Sequence, residues 1–263
     1  MSDALLEVRE VSKTFTLGGR KTLKAVENVS FGVKQNSICV LLGPSGCGKS
    51  TVLRMIAGLE TATEGSVALG GKVVTGPGQD RGMVFQAYTS FDWLSVRKNV
   101  EFGMKVNNID AAKRRERANH FLNLVGLSKF ADAYPSQLSG GMRQRVAIAR
   151  TLANDPEVLL MDEPFGALDA ETRWLMQELM IDVAEKTNTT MVIVTHDLEE
   201  AIFLADKIIF LSSHPGRVKE EIIPAFKAEK RIADKEHIIR MNGYSDLEEK
   251  LMRLMREEGH REN

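Results

Sequence analysis

An α/β fold built on a buried parallel sheet is predicted by three features: continuous apolar runs, the helical patterns between them, and a glycine-rich loop joining one run to a helix. The runs are residues 38–42, 158–161, 191–194 and 208–211. Parallel strands covered on both faces have no polar side to alternate with, so they read as unbroken apolar stretches. Between them, residues 51–57, 111–127 and 171–186 carry apolar residues at helical spacing, with Ala118, Phe121, Leu122 and Val125 on one face of the second. Strand–helix alternation of this kind implies crossover connections and a core covered by helices.

The N-terminal part differs. Residues 5–9 alternate apolar and polar, and residues 26–33 do so again after a Gly18-Gly19 turn, predicting an antiparallel sheet at the edge of the core. Residues 87–151 hold no comparable buried strand and read as an inserted helical subdomain, leaving 1–86 and 152–217 as the α/β core. Residues 218–263 form a short, partly helical tail, in which Ser245 and Glu248 are spaced as a capping box before the stripe Leu247, Leu251, Leu254 and Met255.

Composition excludes several classes. The chain has 263 residues, 43% of them hydrophobic, with 35 Lys and Arg against 36 Asp and Glu. That is a core-forming composition for one domain, or one domain with an insertion, and it lacks the basic surplus that nucleic-acid binding uses. No apolar run approaches the roughly 20 residues that span a bilayer. The N-terminus shows no basic and apolar leader, and Cys39 and Cys47 fit neither a disulfide framework nor a metal spacing, so a reducing cytosol is expected.

The chemistry begins at Gly43-Pro44-Ser45-Gly46-Cys47-Gly48-Lys49-Ser50, which follows a buried run and precedes a helical pattern starting at Thr51. This G-x-x-x-x-G-K-[ST] loop lets successive backbone N–H groups face phosphate oxygens at a helix N-terminus. Lys49 then meets the β- and γ-phosphates, and Ser50 offers a hydroxyl to Mg²⁺. A second strand, 158–161, delivers Asp162 and Glu163 at its C-terminal end, where open α/β sheets bind ligands. Asp162 is expected to hold Mg²⁺ through water, and Glu163 to act as general base toward an attacking water. His196 follows the strand 191–195 and is placed to reach the γ-phosphate edge of the same pocket.

One further segment, Leu138-Ser139-Gly140-Gly141-Met142-Arg143-Gln144-Arg145, has no counterpart in small-molecule kinases or GTPases, the rival phosphate-loop classes. With this segment included, the chain from Leu5 to about Arg217 resembles the nucleotide-binding subunit of an ATP-binding cassette (ABC) transporter. The resemblance implies that ATP and Mg²⁺ are bound, that Phe15 stacks on adenine, and that Gln86 touches Mg²⁺ and the water. It implies that Ser139, Gly140 and Gly141 meet the γ-phosphate held by the other copy of a head-to-tail dimer, with Asp169 linking the two sites. Met142 departs from the Gln common there, which predicts weakened detail and retained activity.

Phe91-Asp92-Trp93-Leu94 puts two aromatics in an expected surface loop. In the family, the stretch from Gln86 to Val96 resembles the groove that receives integral membrane permease subunits, with a solute-binding protein as an indirect partner. This implies a peripheral position at the cytoplasmic face of the inner membrane. His214-Pro215-Gly216-Arg217 resembles a segment of the nitrate, sulfonate, taurine and bicarbonate importer branch. A non-transport ABC ATPase of DNA repair or translation is disfavoured by the short span between Lys49 and Ser139. Cys47 reads as a small packing residue open to thiol reagents.

Overall fold

The chain opens with two long strands, β1 (Ala4–Thr16) and β2 (Thr22–Lys34), paired antiparallel with Val8 opposite Phe31 and Phe15 opposite Leu23. They belong to a computed structural model that describes residues 4–18, 21–87, 89–227 and 231–259. Gly19 of the expected turn therefore lies outside the described residues. Next come β3 (Ile38–Leu42), buried at every position, and α1 (Lys49–Ile56), joined by the glycine-rich loop.

Three short strands follow: β4 (Glu64–Leu69), β5 (Lys72–Val73) and β6 (Arg81–Val84). β4 pairs with the free edge of β1 and β5 pairs with β4, so the N-terminal sheet has the order β2-β1-β4-β5. Sequence periodicity does not reveal these three. β5 has two exposed residues and β6 carries Arg81 and Gly82, so neither offers an apolar run long enough to read.

From Phe85 to Glu157 no strand occurs among the described residues. The helices there are α2 (Val96–Val106), α3 (Ala111–Leu124) and α4 (Gly140–Leu152). Their apolar faces, including Val100, Met104, Phe121, Leu122 and Val146, join one buried cluster. Ser95, Asp110 and Ser139 each accept a backbone N–H as N-cap, satisfying donors that a helix start leaves open.

Strand and helix then alternate: β7 (Val158–Asp162), α5 (Ala170–Thr187), β8 (Thr190–Thr195), α6 (Leu198–Leu204), β9 (Lys207–Leu211) and β10 (Val218–Ile222). The second sheet has the order β10-β9-β3-β8-β7-β6, parallel throughout except for β10. All four apolar runs are therefore inner parallel strands, as the sequence predicts. Successive residues of β3 face opposite layers. Ile38, Val40 and Leu42 join the cluster with the helices 96–152, whereas Cys39 and Leu41 join the cluster under α1 and the first sheet.

The tail contains α7 (Lys235–Ile239) and α8 (Tyr244–Gly259). α8 packs on α6 of its own chain, with Leu247, Leu251 and Leu254 buried and Met255 at the rim. The expected capping box is displaced. The helix begins at Tyr244, after a turn through Gly243 (φ 91), so Ser245 lies inside the first turn and does not cap it.

Candidate active site

The loop between β3 and α1 is shaped by glycines at two points. Gly46 and Gly48 have φ of 79° and 93°, a region that side chains with a Cβ rarely adopt. A carbon added to Gly46 meets open space, which leaves that side of the loop free for a ligand. One added to Gly48 overlaps the Val26 side chain and sits 2.9 Å from the Ala25 carbonyl oxygen, so the first sheet packs against this turn.

Lys49 is 5% exposed, and its ammonium donates to the carbonyls of Gly43 (2.8 Å) and Pro44 (2.7 Å). These bonds fold the lysine over its own loop. Ser50 Oγ donates to Asp162 Oδ1 at 2.7 Å, across from the end of β7. Cys47 is fully buried, and burial pushes its thiol above the usual range against the smaller opposing effect of Lys49. Its sulfur is neither exposed nor favoured as thiolate, which corrects the expectation of ready thiol-reagent sensitivity.

Glu163 follows Asp162 with φ 43, a left-handed conformation unusual for a residue other than glycine. Its N–H donates to the Val194 carbonyl (3.0 Å), which fixes the turn to β8. The turned backbone brings the carboxylate to two partners: His196 Nδ1 lies 3.3 Å from Oε1, and Gln86 Nε2 lies 3.5 Å from Oε2. Ser45, Gly46, Gly48, Lys49, Ser50, Thr51 and Glu163 line one cleft of about 220 Å³. A hydroxyl and a carboxylate 2.7 Å apart are hard oxygen donors suited to Mg²⁺, and the glycine turns with Lys49 suit a polyphosphate.

Other sequence-predicted residues lie apart from this cleft. Phe15 is on β1, partly exposed, with the Lys13 ammonium 5.0 Å from its ring centroid. Lys13 pairs in register with Val26, the β2 residue that meets Gly48, so Phe15, paired with Leu23, stands two residues further along β1 from that contact. Ser139 Oγ accepts the Met142 N–H at 3.3 Å, and Asp169 accepts the Thr172 N–H at 3.0 Å. That backbone bond, then the Thr172 hydroxyl, hold the Asp169 carboxyl below its usual range. A carbon on Gly141 would overlap the Thr172 methyl, so the N-termini of α4 and α5 abut. Met142 packs partly against the core.

The loop at 91–95 is organised by Asn99, which is wholly buried. Its amide nitrogen donates to the carbonyls of Phe91 (3.0 Å), Leu94 (3.0 Å) and Ser95 (3.1 Å), and its oxygen accepts the Phe91 N–H (2.7 Å). Phe91 is half-buried and packs against the rings of Phe102 and Trp93, with centroids 4.5 and 5.3 Å away, and the Arg150 guanidinium lies 5.4 Å from its ring. Trp93 remains 75% exposed. Beside it, Phe85, Phe91, Phe102 and Arg150 line a groove of about 420 Å³. Tyr88, inside the expected partner stretch, lies outside the described residues. Asn99 is missed by sequence reading because a lone polar residue in a helix carries no periodic signal.

Glu200, also unread, is 4% exposed in the first turn of α6. Burial, then the neighbouring Asp197, push its carboxyl up to about 8, against the Thr195 hydroxyl and Arg173.

A phosphate-cradling loop facing a carboxylate at the carboxyl edge of a parallel sheet places this chain among the phosphate-loop nucleoside triphosphatases. Residues 26–166 match the family model described as ABC transporter. The chain therefore belongs to the ABC transporter family, and it is an ATPase of that family. It is 48% identical over 217 residues to the nitrate import ATP-binding protein NrtD of Synechocystis, covering 82% of this chain and 81% of that protein. It is 41% identical over 250 residues to the taurine import ATP-binding protein TauB of Jannaschia, covering 95% and 93%. Among solved structures, a dimeric post-hydrolysis state of an ATP-binding cassette bound to ADP and phosphate superposes with a TM-score of 0.73. It is 34% identical to this chain and covers 83% of it and 98% of the solved chain.

Proposed function

We propose that the chain is the ATP-hydrolysing subunit of an importer for a small anion such as nitrate, taurine, another sulfonate or bicarbonate, held peripherally at the cytoplasmic face of the inner membrane. The nitrate and taurine import proteins it resembles support this reading, as does the absence, among the described residues, of a helix long and apolar enough to cross a membrane. Two copies close head to tail around two Mg·ATP, and closing and opening move integral permease subunits. A solute-binding protein delivers the cargo to those subunits.

Residues 43–51 would cradle the triphosphate, with Lys49 exchanging its loop carbonyls for phosphate oxygens, and Phe15 would stack on adenine. Ser50, Asp162 and Gln86 would hold Mg²⁺, which would supply charge neutralisation to the phosphates. Glu163 accepts the proton of the attacking water, while His196 and Gln86 hold its carboxylate in the productive rotamer. Ser139, Gly140 and Gly141 of the partner copy would meet the γ-phosphate, and Asp169 would link the sites. In this reading, 1–86 and 152–217 form the ATPase core, 87–151 the helical arm, and 218–263 the tail. The groove between Gln86 and Val96 receives the permease.

The observation that carries the proposal is the convergence of His196 and Gln86 on Glu163 beside the Ser50–Asp162 pair. Replacing Glu163→Gln keeps the shape and removes the base, so turnover should fall about a hundredfold or more while ATP binding persists. Membranes solubilised with ATP from cells producing this variant should yield the dimer with a multi-span membrane protein. Undiminished turnover removes Glu163 as base, and recovery of soluble partners alone removes the transport reading.

A further inference from the structure

Between β9 and β10 the chain runs along the back of the phosphate loop. A carbon on Gly43, the loop's first glycine, would sit 2.6 Å from the Leu211 carbonyl oxygen. One on Gly216 would overlap the Cys47 carbonyl oxygen, so this glycine lies directly against the loop's backbone. Gly216 is also stitched to β2: its N–H donates to the Ala25 carbonyl (3.0 Å), and its carbonyl accepts the Glu27 N–H (2.9 Å). Arg217 pairs with Glu27. Ser212 closes the turn, its N–H donating to the Arg217 carbonyl (2.9 Å) and its hydroxyl accepting the Arg217 N–H (3.1 Å).

The same turn is held from the far end of the chain. Glu258, in the last turn of α8, is wholly buried, and its Oε2 accepts the Ser213 N–H (2.8 Å) and the Ser213 hydroxyl (2.9 Å). Its Oε1 accepts from Lys219 on β10 at 2.7 Å. A buried carboxylate fully engaged in this way fixes the backbone it binds, because each lost bond would leave a charged group unsatisfied.

We propose that Glu258 is a positioning residue for the phosphate loop. Through Ser213 it sets the turn 212–217, whose Gly216 braces the carbonyl of Cys47 from behind and so aligns the N–H groups that face the phosphates. The inference rests on the reading of residues 43–51 as the nucleotide site. It makes the tail part of the ATP-binding machinery.

The test compares full-length variants by affinity for a fluorescent ATP analogue and by KM and kcat. Glu258→Ala should weaken nucleotide binding and raise KM about tenfold, with kcat changed far less. Glu258→Gln, which still accepts from Ser213, should lie closer to the parent, and Ser213→Ala should lie between. Leu254→Ala loosens the same helix without touching the turn, so its melting temperature should fall while KM holds. An unchanged KM in Glu258→Ala, or an equal rise in Leu254→Ala, overturns the proposal. Lys49→Ala is the reference: weakened binding there alone leaves the nucleotide site standing without the brace, and unchanged binding there removes both.

Discussion

Glu163 shows what a single backbone angle contributes. The sequence places a carboxylate after a buried strand, and nothing in its letters shows that φ is 43°. That conformation costs about 1–3 kcal/mol, and here it aims the side chain at His196 and Gln86. Lys49, Ser50, Asp162 and His196 were legible because spacing and strand context assign them. Glu200 was not, because a carboxylate in a helix's first turn reads as a favourable exposed charge. It is instead buried, facing Asp197, Arg173 and Glu163, with one oxygen lacking a hydrogen-bond partner among the described residues. With its pKa raised to about 8, its contribution to stability is complete below the ordinary value of 4.5 and is lost as pH rises through 8. Thermal unfolding between pH 5 and 8.5 should therefore show the parent losing more stability than Glu200→Gln. Parallel profiles would refute a protonated Glu200.

At the scale of elements, the phosphate loop is held by contacts from both sheets as well as by its own sequence. Gly48 illustrates this, since its left-handed φ and its contact with Val26 and the Ala25 carbonyl both forbid a side chain. Gly48→Ala should lower the melting temperature and weaken nucleotide binding together, since strain of about 1 kcal/mol or more adds to a displaced loop. A variant that binds nucleotide normally would show that the first sheet gives way at no cost. The inner strands β3, β7, β8 and β9 were readable as apolar runs, and α8 as a stripe. β4 to β6 were not, because short pieces acquire their identity from the neighbours they pair with, and α2 was legible only as part of the helical stretch 87–151. Lys227 is a similar case: buried after β10, it donates to the carbonyls of Ile202, Phe203 and Ala205 at the end of α6, an arrangement visible only in three dimensions.

For the whole molecule, the N-termini of α4 and α5 abut, with Ser139 and Asp169 exposed at their caps and Gly141 buried against Thr172 between them. Among the described residues no hydrogen bond ties Ser139 to the phosphate loop of its own chain; its hydroxyl caps its own helix. Helix starts favour negative charge, which the proposed head-to-tail dimer would bring from a second copy. Ser139→Arg should therefore leave ATP binding to the monomer intact while reducing turnover at least about tenfold. Sizing in ATP with the Glu163→Gln background should show the dimer lost. A dimer that persists with full turnover would place the γ-phosphate contact elsewhere.

The way Asn99 holds the loop beside the groove has an evolutionary consequence. Because one concealed amide holds residues 91–95 through their main-chain carbonyls, the path of the loop rests little on its outward side chains, Trp93 adding only a tilted ring contact with Phe91 at 5.3 Å between centroids. A substitution at Asp92 therefore leaves the Asn99 bonds that frame the loop in place. If the groove receives a permease as proposed, the side chains offered to it can be changed without redrawing the loop that carries them.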